Sequence, residues 1–124
     1  MKAPHLLRGA YTEDRVCKWL LGRGLRLVTR NYRCPSGEID LVLLEEDCLV
    51  IVEVRFRRND LYGGAFASVS RQKQQRLARA TECFLRENPH YTHHPLRFDV
   101  VAVSGHNSAM QLEWRQNAIC FDPE

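Results

Sequence analysis

Two acidic residues, Asp40 and Glu53, fall within apolar, β-branched-rich segments on either side of a short turn. Segments 38–44 and 48–57 predict two antiparallel strands joined by a two-residue loop at 46–47. In such a hairpin the residue numbers of each cross-strand pair add up to 93. Asp40 is then directly opposite Glu53, with the two Cβ atoms about 5 Å apart.

Two carboxylates facing each other across a hairpin destabilise it unless something neutralises them. A divalent cation held between Asp40 and Glu53 would do so, because Mg²⁺ binds one or two carboxylates together with water and phosphate. Both residues share a strand face with aliphatic neighbours, which predicts that the pair lies at the edge of the core. The alternative is that both carboxylates lie at a solvated strand end and have no function.

A third acid, Glu13, falls on the apolar stripe of the first predicted helix, which covers residues 9–22. Ala10, Val16 and Leu20 lie at helical spacing on the same face. The alternative interpretation is that Glu13 is only a favourable charge in a first helical turn. Three acids directed toward one region predict a divalent metal site, for Mg²⁺ or Mn²⁺.

The remaining elements surround these acids. Ser70 is a predicted N-cap, residues 35–37 a predicted turn and residues 58–68 a predicted loop. In chain order the predicted elements are helix 9–22, a loosely alternating segment 25–33, strands 38–44 and 48–57, helix 71–87, strand 96–104 and one or two short strands within 110–121. This αβββαβ order with a β tail predicts a single domain over residues 1–124.

The composition is that of a globular domain rather than a disordered, collagen-like or disulfide-dense chain. The chain has 124 residues, of which 44% are hydrophobic. It contains no apolar run of 18 residues and no secretory signal, so neither a membrane span nor export is predicted. Five scattered cysteines without a Cys-x-x-Cys motif predict reduced thiols and a cytoplasmic protein.

The charges are unevenly distributed along the chain. Residues 1–33 carry eight basic and two acidic side chains, residues 34–53 six acidic and no basic ones, and residues 54–124 ten basic and seven acidic ones. Fifteen of the 18 cations are Arg, which suits bidentate phosphate contacts. An acidic centre between basic flanks fits a nucleic-acid surface, and equally a solvated surface of mixed charge.

Several motifs give the chain a specific resemblance to known nucleases. Gly-Glu-Ile-Asp at residues 37–40 and Glu-Val-Arg at 53–55 resemble the PD-(D/E)XK signature of restriction-endonuclease-like nucleases. Over residues 8–121 the chain resembles the bacterial YraN-like family, which is itself similar to archaeal Holliday-junction resolvases. This second resemblance rests on Gly9, Glu13, Arg30-Asn31-Tyr32-Arg33, the two motifs above, Lys73, Arg97-Phe98-Asp99-Val100 and Asn117-Ala118. It implies an α/β (α+β) fold with a restriction-endonuclease-like αβββαβ core, in which helices flank a mixed central sheet.

The resemblance implies a role for each matching residue. Asp40 and Glu53 match the metal-binding acids of the nucleases, and Glu13 matches a helix glutamate that contacts the ion through water. Arg55 occupies the position of the superfamily's catalytic lysine. This is a departure, because Arg is always charged and cannot deprotonate a water molecule.

The predicted nucleic-acid-binding residues are Arg55, Arg57, Arg58, Lys73 and Arg76. Lys73 falls near the N-terminus of the second predicted helix, where the helix dipole also favours phosphate. The alternative is that Lys73 is an ordinary solvated helix lysine.

Two functions are therefore expected. The first is a Mg²⁺-dependent endonuclease acting on DNA rather than RNA, with branched DNA among the candidate substrates. The second is a non-catalytic nucleic-acid-binding protein on the same fold. The intact pair of Asp40 and Glu53 favours the first function, and Arg55 in the lysine position favours the second. A purely structural domain would leave the three acids unexplained, and the likeness to resolvases adds a homodimer as an expected assembly.

Overall fold

The computed structural model describes residues 4–56, 69–105 and 107–119, but not the side chains of residues 4–9 and 107. Its helices and strands, in chain order, are α1 (Pro4–Leu21), β1 (Arg26–Cys34), β2 (Gly37–Glu45), β3 (Cys48–Phe56), α2 (Arg71–Glu87), β4 (Leu96–Ser104) and β5 (Gln111–Arg115). Two single-turn 3₁₀ helices, Pro89–Tyr91 and Asn107–Ala109, precede β4 and β5. The predicted αβββαβ order with a β tail is confirmed.

The five strands form one mixed sheet in the order β1-β2-β3-β4-β5. All neighbouring strands are antiparallel except β3 and β4, which are parallel and are separated in the chain by α2. In the hairpin of β2 and β3, Glu45 pairs with Cys48 and Leu41 with Val52. Both pairs obey the predicted rule that their residue numbers add up to 93, so the predicted register is confirmed as far as Leu41.

Among the described residues, one helix packs on each face of the sheet. Val16, Cys17 and Leu20 of α1 join one buried cluster, together with residues of β2, β3 and β4. Leu77, Ala80 and Phe84 of α2 join a second cluster on the opposite face. Side chains of β3 alternate between the two clusters, as expected for a central strand that is buried on both faces.

The start of α2 is fixed by a side-chain cap. The Ser70 hydroxyl accepts a hydrogen bond from the backbone N–H of Lys73 at 3.1 Å, as the N-cap prediction requires. Asn88 ends the helix and its backbone N–H donates to the Phe84 carbonyl. Because the cap holds the first turn of α2, Lys73 is held near the end of β3.

Some boundaries differ from those predicted. Helix α1 begins at Pro4 instead of residue 9, and Ala10 is exposed instead of lying on the buried stripe. Proline suits the first turn of a helix, because the N–H groups there have no hydrogen-bond acceptor within the helix. A search for helical periodicity does not detect this preference. In the part of the tail that the structure describes, up to residue 119, there is one strand, Gln111–Arg115. The predicted loop 58–68 lies outside the described residues.

Candidate functional site

Strand β2 changes its side-chain alternation at Asp40. Ile39 packs in the cluster under α2, whereas Leu41 packs in the cluster under α1. A regular strand would direct these two residues to the same face. The described ladders include neither a pair of Asp40 with Asn31 of β1 nor a pair of Asp40 with Glu53 of β3. The β2–β3 ladder thus ends one pair before the predicted pairing of the two acids.

The Asp40 side chain replaces the missing ladder contact. Its Oδ2 atom accepts a hydrogen bond from the backbone N–H of Val54 at 2.8 Å. Burial, together with the neighbouring charge of Glu53, raises the pKa of Asp40 to about 8. In the absence of a cation, Asp40 is therefore mostly protonated at neutral pH.

Glu53 is buried, with 4% of its surface exposed, and two cations contact the same carboxylate oxygen. The Lys73 Nζ atom lies 3.1 Å from Glu53 Oε2, and an Arg55 guanidinium nitrogen lies 3.6 Å from it. A buried carboxylate is tolerated only when it is paired in this way. Lys73, which the sequence offered as a phosphate contact or a solvated lysine, is in the structure a partner of Glu53.

Glu13 approaches the other acids from α1. Burial raises the pKa of Glu13, and the negative charges of Glu38 and Glu53 act in the same direction. Arg30 and a hydrogen bond from the Asn31 side chain act in the opposite direction. Glu13 thus lies within electrostatic reach of the acids on β2 and β3.

Asn31 is a site residue to which the sequence interpretation assigned no role. Its backbone adopts a left-handed conformation, with φ of 52°, which Asn tolerates better than most side chains. It lies beside Asp40, where β1 and β2 lose their regular pairing, and its side chain hydrogen-bonds Glu13. The sequence feature that could have indicated a special role for Asn31 is its position inside a strand-forming segment, where Asn is disfavoured.

A cleft of about 500 Å³ opens beside the acids. Its walls are the β1–β2 turn and the first two turns of α2, lined by Arg33, Cys34, Pro35, Ser36, Gly37, Glu38, Glu53, Lys73, Arg76 and Leu77. Glu53 and Lys73 belong both to the acid site and to this cleft. The cleft has the volume of a small-ligand pocket, and three basic side chains line it.

Gly37 allows the β1–β2 turn to lie close to α2. A Cβ atom on Gly37 would lie 2.8 Å from the backbone carbonyl oxygen of Arg76, closer than backbone atoms permit. We therefore expect Gly37→Ala to lower the free energy of unfolding by about 1–3 kcal/mol, measured by urea denaturation. Gly22→Ala is the control, because its Cβ would meet only ordinary contacts of 3.4 Å or more. An equal loss in both variants would contradict this account.

The structure brings together Asp40, Glu53, Arg55 and Glu13, the four residues predicted for catalysis. Two of the predicted nucleic-acid contacts, Lys73 and Arg76, line the adjoining cleft, while Arg57 and Arg58 lie outside the described residues. In the described part of the chain, no three His, Cys, Asp or Glu side chains form a ready-made metal cluster. Coulombic interactions connect Asp40, Glu53 and Glu13.

Arg97 and Asp99 form an ion pair on β4. Asp99 is fully buried and accepts hydrogen bonds from Arg97, from the Trp114 indole and from the backbone N–H of Asn117. These contacts attach β5 and the following turn to β4. Asp99 therefore has a structural role.

Comparison with known proteins assigns the chain to a family. Residues 12–103 match the model of "Uncharacterised protein family UPF0102". The chain belongs to this family. A UPF0102 protein of Pseudomonas putida is 46% identical over 111 residues, which cover 89% of this chain and 90% of the relative. A UPF0102 protein of Alcanivorax borkumensis is 47% identical over 111 residues, which cover 89% of each chain.

The UPF0102 relative from Stutzerimonas stutzeri is 46% identical over 110 residues, which cover 89% of this chain and 92% of the relative. The resemblance to the YraN-like family is thereby confirmed at the level of the family. In the parts of the chain that the structure describes, neither α-helix has the length and apolar character needed to span a bilayer.

Proposed function

We propose that this protein is a Mg²⁺-dependent endonuclease of the restriction-endonuclease-like PD-(D/E)XK superfamily, in which Mn²⁺ can replace Mg²⁺. The observation that carries the proposal is the shared electrostatic environment of Asp40, Glu53 and Glu13. Because burial and the neighbouring acids raise the pKa of Asp40 to about 8, the site has more negative charge than it can hold in ionised form. A divalent cation is the ligand that relieves this excess.

The donor set fits such an ion. Asp40 and Glu53 are both carboxylates, and each described contact involves one of the two carboxylate oxygens, Oδ2 of Asp40 and Oε2 of Glu53. Carboxylate oxygens are the ligands that Mg²⁺ prefers, and it takes few of them from the protein. When bound, Mg²⁺ would supply Lewis-acid stabilisation of the phosphodiester and a bound water of lowered pKa.

The side chains around the ion site bind and orient the substrate. Arg55 is the proposed contact to the scissile phosphate, because its planar guanidinium binds phosphate through two parallel hydrogen bonds. Lys73 shares Glu53 with Arg55 and places a second positive charge beside the same phosphate. Arg76 in the adjoining cleft would hold the nucleic-acid backbone beside the site. Arg57 and Arg58, which lie outside the described residues, remain predicted phosphate contacts.

A second candidate function is nucleic-acid binding without cleavage. The observation that favours it is the double pairing of Glu53, whose charge Lys73 and Arg55 already neutralise in the absence of metal. In this case the basic residues contact the phosphates, but the carboxylates bind no ion tightly enough for turnover. The fold and the cleft are the same in both proposals, so turnover is the measurement that separates them.

The test is a cleavage assay with Mg²⁺ and with Mn²⁺ on duplex, single-stranded, flap and four-way-junction DNA, with matched RNA substrates. We expect metal-dependent cleavage of DNA by the wild-type protein and none by Asp40→Asn, while Asp47→Asn in the exposed β2–β3 turn keeps full activity. Metal-independent binding without cleavage of any substrate would support the second function. Neither cleavage nor binding would reject both.

Two further features belong to the proposal. We place the protein in the cytoplasm, where a reducing environment suits the free thiols of Cys17, Cys34, Cys48 and Cys83. The resemblance to junction resolvases implies a homodimer, which light scattering of the purified protein would detect.

A further inference from the structure

The end of β1 and the turn after it run along one face of α2. The Tyr32 hydroxyl donates to Glu87 Oε1 at 2.8 Å at one end of this contact line. At the other end, Gly37 lies against the backbone carbonyl of Arg76. On α2, Cys83 precedes Glu87 by four residues and follows Arg76 by seven, a spacing that places all three on one helix face.

Two thiols meet in the middle of this contact line. Cys34 follows Tyr32 by two residues and so lies on the same side of the strand, while Cys83 is about one helical turn before Glu87. The two thiols therefore face each other across this contact line, close enough for each to influence the pKa of the other. Both cysteines are partly exposed free thiols, in contrast to Cys17, which is buried in the core.

The two thiols have different environments. Burial acts to raise the pKa of Cys34, but hydrogen bonds from Cys83 and from the backbone N–H groups of Ser36 and Gly37 lower it overall. The same hydrogen bond, together with burial, raises the pKa of Cys83. Cys34 is therefore the more acidic thiol of the pair, and thiolate is the reactive form of cysteine.

We propose that Cys34 and Cys83 form an oxidative modification site, at which hydrogen peroxide converts the two thiols into an intramolecular disulfide. The Cys34 thiolate attacks one peroxide oxygen; an S–O bond forms, the O–O bond breaks, and the other oxygen leaves as water after protonation. The Cys83 sulfur then attacks the resulting sulfenic acid. The S–S bond forms, the S–O bond breaks, and the departing hydroxide takes the Cys83 proton to give a second water.

The disulfide would attach the β1–β2 turn covalently to α2. Its formation requires the two sulfur atoms to approach to about 2 Å. Cys34 lines the same cleft as Glu53 and Lys73, so the bond would fix one wall of that cleft. Any effect on nucleic acid rests on the proposed function, whereas formation of the disulfide does not.

The test begins with the wild-type protein, treated with hydrogen peroxide and then alkylated. Digestion with trypsin and a glutamate-specific protease separates Cys34 from Cys48, and mass spectrometry identifies the linked peptides. We expect a Cys34–Cys83 linkage that dithiothreitol reverses, with a whole-protein mass lower by two hydrogen atoms. Hydrogen exchange should slow in residues 34–38 of the oxidised protein, and the melting temperature should rise.

Matched variants distinguish the pair from general thiol oxidation. Cys34→Ser and Cys83→Ser should each abolish the linkage, while Cys48→Ser should keep it. Further oxidation of Cys34 to a sulfinic acid without any linkage would overturn the proposal, as would a preference for intermolecular disulfides. Because the readout is a peptide mass, the result does not depend on whether the protein cleaves nucleic acid.

Discussion

In the metal-free protein at pH 8, the substitution Asp40→Asn should raise the melting temperature by roughly 5–15 °C. The Asp40 carboxyl has a pKa of about 8 in the folded protein but an ordinary value of about 4 in the unfolded chain. A folded-state pKa that is raised in this way makes the folded state bind the proton more tightly. The stabilisation that the Asp40 proton gives to the folded state is complete below about pH 4 and is lost as the pH rises to about 8.

The Asn side chain keeps an oxygen that can accept the hydrogen bond from the Val54 N–H, but it carries no titratable proton. The melting temperature of Asp40→Asn should therefore fall less between pH 4 and pH 8 than that of the wild type. Near pH 8 the free energies of unfolding of the two proteins should differ by on the order of a few kcal/mol. Thermal unfolding in the presence of a chelator measures this, with Asp47→Asn as the exposed control. Parallel pH profiles for Asp40→Asn and wild type would show that Asp40 is not the titrating group.

The same variant tests metal binding. Mg²⁺ or Mn²⁺ should raise the melting temperature of the wild-type protein, since a ligand that binds only the folded state stabilises it by mass action. The rise should be larger at pH 8 than at pH 6, because the ion competes with the Asp40 proton. An unchanged rise in Asp40→Asn would place the ion elsewhere in the protein.

Removal of the Arg55 guanidinium should lower DNA cleavage about 100-fold or more, by analogy with the loss of one transition-state hydrogen-bond donor. Arg55 is always charged, so water activation must come from elsewhere in the site. Its expected role is to hold the scissile phosphate through two hydrogen bonds and to stabilise charge as the attack proceeds. Arg55→Lys introduces the residue that PD-(D/E)XK nucleases carry at the matching position, and under the proposed function it should keep or raise the rate, whereas Arg55→Ala should lose it.

Binding measured at several salt concentrations distinguishes a role of Arg55 in cleavage from a role in nucleic-acid binding alone. If the protein only binds nucleic acid, Arg55→Ala should weaken binding and reduce the salt dependence by about one released counterion. Lys73→Met is the matched comparison, because it removes the other cation from the same oxygen of Glu53. If Arg55→Ala changes neither cleavage nor binding, Arg55 does not take part in the site.

The sequence alone determined the order of the elements and the register of the central hairpin. The side-chain period of a strand differs from that of a helix. Segments 38–44 and 48–57 could therefore be predicted as strands and segment 71–87 as a helix. The Ser70 cap and the Asn88 end of α2 were equally local signals. The grouping of Asp40, Glu53 and Glu13 followed from periodicity together with the motif resemblance, and the structure places all three within electrostatic reach of each other.

Only the tertiary structure decided how these acids are held. The lapse in pairing at Asp40 and the left-handed backbone of Asn31 occur where β2 changes the buried cluster to which its side chains belong. Lys73 reaches Glu53 only because α2 folds back over the end of β3, a contact between residues distant in sequence. The raised pKa of Asp40 likewise comes from burial and from acids on other elements, neither of which a periodic pattern encodes.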